Sequence, residues 1–499
     1  MLKATLLTIL FTSFAACCFS QQKVFSCEYK GLIYDRFETH IIPEKNKNFF
    51  ILSLITESTA QRFFADKEQN IPLLEQHTTA ITADSSFRYH GFIDDKLLLQ
   101  SYRLTFAGGM YHNKKITELF RSRINANMYL FETDLVSGKT FISDTIKTMY
   151  NEKIITCFTR NDEIVIVSYT DGTNKLSVYQ KKQDDRLVKK TVNIVLPEER
   201  EGKSNRITTL SKKHFGVYDN NQRYHVLFTT PWNKAFIQKD RIVFLLTDNN
   251  ADVYAVTINT DSIHYQVKKF DPGGAAVNGR VTSTSAFLVD SLLITAYASE
   301  KKLYLNVFHL DNDRLLFAKT IDESNIDSFC QEPIQRTGSF MSKSDIREAA
   351  FKKFYATVKN NDLSVSGYTD KGKLFLSFGA EYKQVINGTT LLNLLTSAAG
   401  TYAINSSGDY YGYFISGFQG ARNSTYTSFD ATLNLADFSP APAPVNFTVW
   451  DRITSFVNLR RLDPAECYYF YMNNYYYIGF FEPGSKTYAV HRFDEKGIE

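Results

Sequence analysis

Six aspartates carry the most obvious chemistry in this 499-residue sequence. Asp94, Asp95, Asp162, Asp240, Asp290 and Asp362 each stand in a short polar break between two β-forming runs. Two carboxylates a few ångströms apart, one protonated and one ionised, would suit cleavage of a glycosidic bond. Turn aspartates also hydrogen-bond their own backbone, and repetition of the position favours that use, since catalysis needs asymmetry. Calcium chemistry has less support. Asp248-Asn249-Asn250-Ala251-Asp252 offers oxygens at loop positions 1, 3 and 5, but position 6 is not Gly and position 12 is Asn259 rather than Glu. The nine histidines are scattered without an HExxH pair, and neither a GxSxG elbow nor a glycine-rich phosphate loop occurs. Ser299 to Lys302 has the Ser-x-x-Lys spacing but reads as a hairpin turn. No cofactor or metal is expected, and the chain leans away from being an enzyme.

Aromatic residues are the stronger signal. Tyr and Phe number 30 and 40, against two Trp. The run CYYFYMNNYYYIGFF at 467–481 concentrates them. Side chains alternate faces along a strand, so Tyr469, Tyr471, Tyr475 and Tyr477 are read as sharing one face across the intervening turn. They are the candidate ligand-binding residues, with rings stacking on a sugar or peptide and hydroxyls fixing its orientation. The competing use is packing between sheets.

The elements that must position these residues repeat along the chain. A short apolar segment, an Asx- or Lys-rich turn and a second β-forming run recur in HGFIDDKLLLQSY, TCFTRNDEIVIVSYTDG, AFIQKDRIVFLLTDNN, AFLVDSLLITAYAS, FYATVKNNDLSVSGYTDKG, TYAINSSGDYYGYFISG and CYYFYMNNYYYIGFFEPG. An eighth run, NFFILSLIT, begins at Asn48. Asx and Gly tolerate the positive φ of tight hairpins, and Val, Ile, Tyr and Phe suit a pleated, half-buried sheet. Third and fourth strands follow most units, as in SEKK then LYLNVFHLD. Four antiparallel strands per about 60 residues is the arithmetic of a propeller blade. One segment breaks the pattern: in KSDIREAAFKKFYATV, Ile346, Ala350 and Phe354 fall at helical spacing behind a capping-box-like start.

This organisation resembles the β-propeller superfamily over nearly the whole chain. No specific family's signature accompanies it. Trp450-Asp451 occurs once where WD40 repeats would need it in many blades, and Gly108-Gly109 and Gly273-Gly274 are too few for Kelch. Two Trp cannot supply the docking residues of quinoprotein dehydrogenases. Ser407 to Gly412 misses the sialidase Asp box by one residue. The resemblance implies an all-β fold, a single propeller of seven or eight four-stranded blades, with the repeat count favouring eight and one helical decoration near 344–357. Residues 21–499 would form it, with the Pro-rich stretch 439–445 as a loop or spacer before the last unit.

Residues 1–20 read as a signal peptide: Lys3 gives a positive start and Leu6 to Ala16 an apolar region too short to cross a bilayer. Cleavage after Ser20 would give a secreted or periplasmic protein. The alternative is a membrane-anchored lipoprotein, because Phe14-Ala15-Ala16-Cys17 resembles a lipobox and would place a lipid on Cys17. Four cysteines then remain, Cys27, Cys157, Cys330 and Cys467. A Cys27–Cys467 disulfide would join the chain ends, and buried thiols are the other option. The last unit lacks a fourth strand, which the segment around Cys27 could supply. A formal charge of +4 is too even for a nucleic-acid binder. Function is therefore expected to be that of an exported, non-enzymatic binding or scaffold module for a protein or glycan. The alternative is a carbohydrate-active enzyme with acidic residues at the propeller channel.

Overall fold

Hairpins dominate because each β-forming run is followed within a few residues by a turn sequence. The structure, a computed structural model, describes the strands named below and most of the turns between them. Residues 1–20, 29–36, 67–75, 197–214, 272–280, 338–346, 383–424, 443–448 and 495–499, with shorter stretches, lie outside the described residues. The chain is an all-β propeller. Six sheets of four or more strands are built from strands close in sequence, and a seventh joins the two ends of the chain.

Sheet I holds Phe37–Pro43, Phe49–Thr56, Thr59–Asp66 and Gln76–Ala80. Sheet II has six strands, the longest being Tyr102–His112, Lys115–Ser122, Met128–Asp134 and Thr140–Ile146. Sheet III holds Glu152–Arg160, Glu163–Thr170, Lys175–Lys182 and Val188–Asn193. Sheet IV holds Phe215–Asp219, Asn233–Ile237, Arg241–Thr247, Val253–Asn259 and Tyr265–Phe270. Sheet V holds Val281–Val289, Leu292–Ser299, Lys302–His309 and Leu315–Ile321. Sheet VI is built on Leu363–Asp370, Lys373–Tyr382 and Thr425–Asn434, with Gln335–Thr337 and Arg347–Glu348 at its outer edge. Sheet VII holds Tyr468–Met472, Tyr475–Phe481, Thr487–Asp494 and the N-terminal strand Gln21–Glu28.

Burial shows which end of each sheet faces the axis. In sheet III the second strand is buried at every residue, whereas the fourth is exposed or half-exposed throughout. First strands also crowd one another. A Cβ on Gly108 would sit 2.8 Å from the Cys157 sulfur of sheet III, and one on Gly109 would sit 2.7 Å from Ile42 Cδ1 of sheet I. Only glycine lets three inner strands approach this closely. Between sheets V and VI, the Leu363 amide donates to Ser283 Oγ at 2.8 Å and the Thr369 hydroxyl to Asp290 Oδ2 at 2.7 Å. The inner strands of these two sheets thus run side by side in the same direction.

The closing strand is where the sequence placed it: Gln21–Glu28 pairs antiparallel with Thr487–Asp494, setting Cys27 opposite Tyr488. Two other expectations change. The expected count of seven or eight uniform four-stranded blades, with eight favoured, is corrected: six blades are built from strands close in sequence, and their sheets contain four, five or six strands. The unit assigned to HGFIDDKLLLQSY yields only the two-stranded pair Phe92–Ile93 and Lys96–Leu97, while the long strand beginning at Tyr102 enters sheet II. The helix expected near 344–357 runs Phe351–Asn360 instead. Glu348, expected with Asp345 to form the capping box, instead belongs with Arg347 to a short strand paired with Gln335–Arg336, and the Ala349 amide bonds the Ile334 carbonyl, so sheet pairing takes the first turn. Phe351, Phe354, Tyr355 and Val358 remain a buried stripe, with Phe354 5.0 Å from Phe429 of sheet VI. A second helix, Val449–Leu459, has no counterpart in the sequence reading. Its Val449, Ile453, Phe456 and Val457 lie buried against sheet VII. The start of the Pro-rich stretch bonds to sheet VI, through a Leu433–Pro440 bridge and the Ala441 amide on the Thr432 carbonyl.

Candidate functional site

The axis of the propeller carries an extra strand. Asn233–Ile237 occupies the inner position of sheet IV, yet Phe215–Asp219 pairs with it in parallel on its axial side. Tyr218 anchors this strand: its ring stacks on Phe236 at 5.2 Å and meets Phe287 of sheet V edge-on at 5.5 Å. Downstream, the short 3-10 turn Val226–Thr229 seats Val226 against Gly379 of sheet VI, where a Cβ would lie 3.0 Å away. Phe215–Asp219 thus lies on sheet IV and Val226–Thr229 against sheet VI.

Between those anchors, Arg223 meets the ends of two sheets. Its guanidinium lies over the Tyr368 ring at 4.1 Å, with Nη2 3.5 Å from Asp370 Oδ2. Its carbonyl accepts the Tyr476 hydroxyl at 2.5 Å. Tyr368 in turn stacks on Phe375 at 4.6 Å. A second arginine–tyrosine stack stands on sheet VII, with Arg492 4.5 Å above Tyr475. Arg223, Tyr368, Asp370, Tyr475 and Arg492 are all half-buried, which leaves part of each ring and guanidinium to solvent. Stacking of this kind is favourable and sets a positive charge beside a half-exposed ring.

The four candidate tyrosines do not share a face. Tyr469 pairs with Ile478, Tyr471 with Tyr476, Phe470 with Tyr477 and Met472 with Tyr475. A two-residue connection, Asn473-Asn474, makes every facing pair one odd and one even number, so common parity means opposite faces. Tyr469 and Tyr471 lie on the side covered by the helix Val449–Leu459; Tyr475 and Tyr477 lie on the other. Tyr469 and Tyr477 are packing residues, 2% and 1% exposed, and burial pushes the Tyr477 phenol up to about 12. Tyr471 and Tyr475 are half-exposed. The Cys27–Cys467 disulfide is also corrected. Cys467 is a buried thiol, and two strands separate its edge of sheet VII from Cys27's edge, about 14 Å at strand spacing.

Three of the six turn aspartates, Asp240, Asp290 and Asp362, are described. Asp290 sits at φ 53° in the turn after the inner strand of sheet V and binds Thr369 of sheet VI. Asp240 is exposed, and its carbonyl receives the Thr260 amide and hydroxyl. Asp362 follows a helix and opens an inner strand, so it is not equivalent to the others. Asp94, Asp95 and Asp162 lie outside the described residues. Of the proposed calcium loop only Asp252 is described, and it stands 3.2 Å from Lys269 Nζ. Ser299 and Lys302 face each other across a tight hairpin, as expected. Among the described residues, no group of three or more His, Cys, Asp or Glu is gathered for a metal, and no helix is long and apolar enough to cross a membrane.

Among the buried ionisable groups that escaped sequence reasoning are Lys234, Glu152 and His491. Lys234, 1% exposed, has its Nζ 3.4 Å from Ser285 Oγ between sheets IV and V. Burial pushes its pKa down to about 7, against an opposing pull from Asp362. Glu152 accepts the Ser168 hydroxyl at 2.6 Å, the Tyr179 hydroxyl at 2.5 Å and Lys189 Nζ at 3.1 Å. Burial alone would raise the Glu152 carboxyl, but these donors hold it below the usual range, while burial and Glu152 push the Tyr179 phenol up. His491 of sheet VII is 4% exposed between aromatic rings. Charged or polar residues on β-strands normally read as solvent-facing, so no sequence signal marked any of the three.

No protein-family model matches the chain, and no curated protein matches it. Among solved structures it is similar to the Dos1 propeller, at 9% identity and TM-score 0.36, covering 97% of this chain and 98% of that one. It is similar to Saccharomyces cerevisiae Sqt1 at 8% identity and TM-score 0.33, covering 95% and 100%. The WD40 domain of SCAP from fission yeast aligns at 9% identity and TM-score 0.30, over 73% of each chain. The propeller architecture rests on the sheet order above and not on these likenesses.

Proposed function

We propose that this chain is an exported, non-enzymatic binding or scaffold module that holds a protein or glycan on the face formed by the strand ends of sheets VI and VII. The observation that carries the reading is the pair of half-exposed arginine–tyrosine stacks, Arg223–Tyr368 and Arg492–Tyr475. Rings offer an apolar platform and the guanidinium groups a positive charge beside it, a combination that suits a polar ligand. Phe215–Asp219 supports a face rather than the channel as the binding surface, since it fills the axial side of sheet IV. Export rests on residues 1–20, with a lipid on Cys17 as the alternative; intact mass of the natural protein's N-terminus separates the two.

A glycan and peptide array probed with the purified chain tests the reading. Retention of one ligand class, lost in Arg223→Ala and Tyr475→Ala with melting unchanged, is the expected result. Equal binding by both variants would move the site elsewhere, and turnover of a bound glycan would make the chain an enzyme.

A further inference from the structure

His491 occupies an unusual place. It sits in the last strand opposite Ile478, on the face that also carries Tyr476, Phe480 and Phe493. The helix Val449–Leu459 covers that face. Phe456 of the helix lies 4.9 Å from the imidazole, and Phe480 stacks on it at 5.4 Å. Both ring nitrogens are buried with no hydrogen-bond partner. A neutral imidazole tolerates this at some cost, whereas an imidazolium would bring a charge and two unsatisfied donors into an aromatic sandwich.

The charged groups around it do not compensate. From the helix side, Arg460 follows the last turn, and its guanidinium lies over Phe456 at 5.6 Å. Arg452 of the same helix is turned to the Asp494 carbonyl. From the N-terminal strand, Lys23 stands opposite His491 in register. Among the described residues, Glu482, just after the Phe480 strand, is the carboxylate acting on His491, and Lys23 already binds it at 2.9 Å. Three cations against one engaged carboxylate make protonation unfavourable while the helix is docked.

We propose that His491 is an acid-sensitive latch on the closing sheet: the helix Val449–Leu459 stays docked while the imidazole is neutral, and protonation releases it. Release uncovers Tyr469, Tyr476, Ile478 and Phe480, an aromatic face next to Arg223 and Tyr471. Burial, reinforced by Arg460 and Lys23, holds the His491 pKa down to about 4 from an ordinary 6.5. The sign follows directly. Once undocked, the imidazole binds a proton near pH 6.5, so docking is at full strength above that pH. It weakens as pH falls from 6.5 toward 4, on the order of 100-fold by pH 4.

Amide hydrogen exchange of residues 449–459 in the full chain, corrected for intrinsic rate, tests the latch between pH 7 and 4. Protection in the natural protein should fall about 100-fold, and the His491→Phe variant should keep it. Protection that stays flat to pH 4, or falls equally in both proteins, would overturn the proposal. Should His491→Phe not fold, imidazole NMR decides. The resonance missing from His491→Gln should titrate near the depressed value; an ordinary histidine titration with the helix in place would overturn the latch.

Discussion

Glu152 in sheet III and His491 in sheet VII are buried to a similar depth, yet their surroundings are opposites. Glu152 collects one donor from each of the other three strands of its own sheet. His491 packs against the Phe456 and Phe480 rings, and neither of its nitrogens has a hydrogen-bond partner. Sheet III is a run of consecutive hairpins, so the farthest of those donors, Lys189, is just 37 residues along the chain. Sheet VII draws its strands from both chain ends and borrows a helix as a cover. A charge is retained where local strands can surround it with partners. Where distant segments meet, the buried titratable group is left neutral, and its protonation opposes the contact.

Breaking the long-range side of this contrast should give the largest effect. Deleting residues 21–36 removes the outer strand of sheet VII together with Lys23. Cooperative unfolding should disappear from a calorimetric scan, and a deletion with an unchanged transition would show that closure contributes nothing. Lys234 sharpens the comparison from the interior. Its folded pKa of about 7 lies below the unfolded 10.5, so the unfolded state takes up a proton that the folded state does not. Stability should therefore rise from pH 7 toward 10.5, by an amount on the order of 4 kcal/mol if the whole shift is realised. Lys234→Met should abolish that slope in urea titrations at pH 7 and 10.

Glu152 tests the satisfied side. Glu152→Ala leaves three donors without their acceptor and should cost about 3 kcal/mol in urea unfolding. Because its carboxyl lies below the ordinary value, its contribution is complete above the unfolded pKa of 4.5 and is lost as pH falls through the lower folded value. The window is more acidic than the one His491 commands, so the two groups separate in an acid titration. The smallest effect belongs to the seam between sheets V and VI. Thr369→Val removes one hydroxyl from Asp290 and should cost about 1 kcal/mol, read as a small drop in midpoint denaturant.

Strands and turns were legible because they depend on neighbours in sequence. The hairpin joining Leu292–Ser299 to Lys302–His309 needs nothing beyond its own residues. Its register is set by one tight turn at Glu300-Lys301, where both residues take positive φ. Ring closure followed from counting strands in the last unit. What stayed hidden depends on partners far away. The tyrosine faces came out wrong because register across Asn473-Asn474, not the count along the chain, decides which residues are neighbours. The helix Val449–Leu459 carries its apolar stripe at helical spacing, but the preceding prolines drew attention to a loop. Lys234 is an ordinary strand lysine until sheet V closes over it. The arginine–tyrosine stacks join residues from separate stretches of sequence, so no local pattern could mark them.

The closing strand also sets a timetable. Lys23 and Glu482 are 459 residues apart, so at ordinary synthesis rates the first strand emerges about 20 to 90 s before its partner exists. Throughout that interval Gln21–Glu28 is a β-forming segment with nothing to pair with, the kind of edge that invites association with other chains. Its Gln21, Gln22 and Lys23 put polar residues at the start of that segment. Synthesis of Thr487–Asp494 ends the wait.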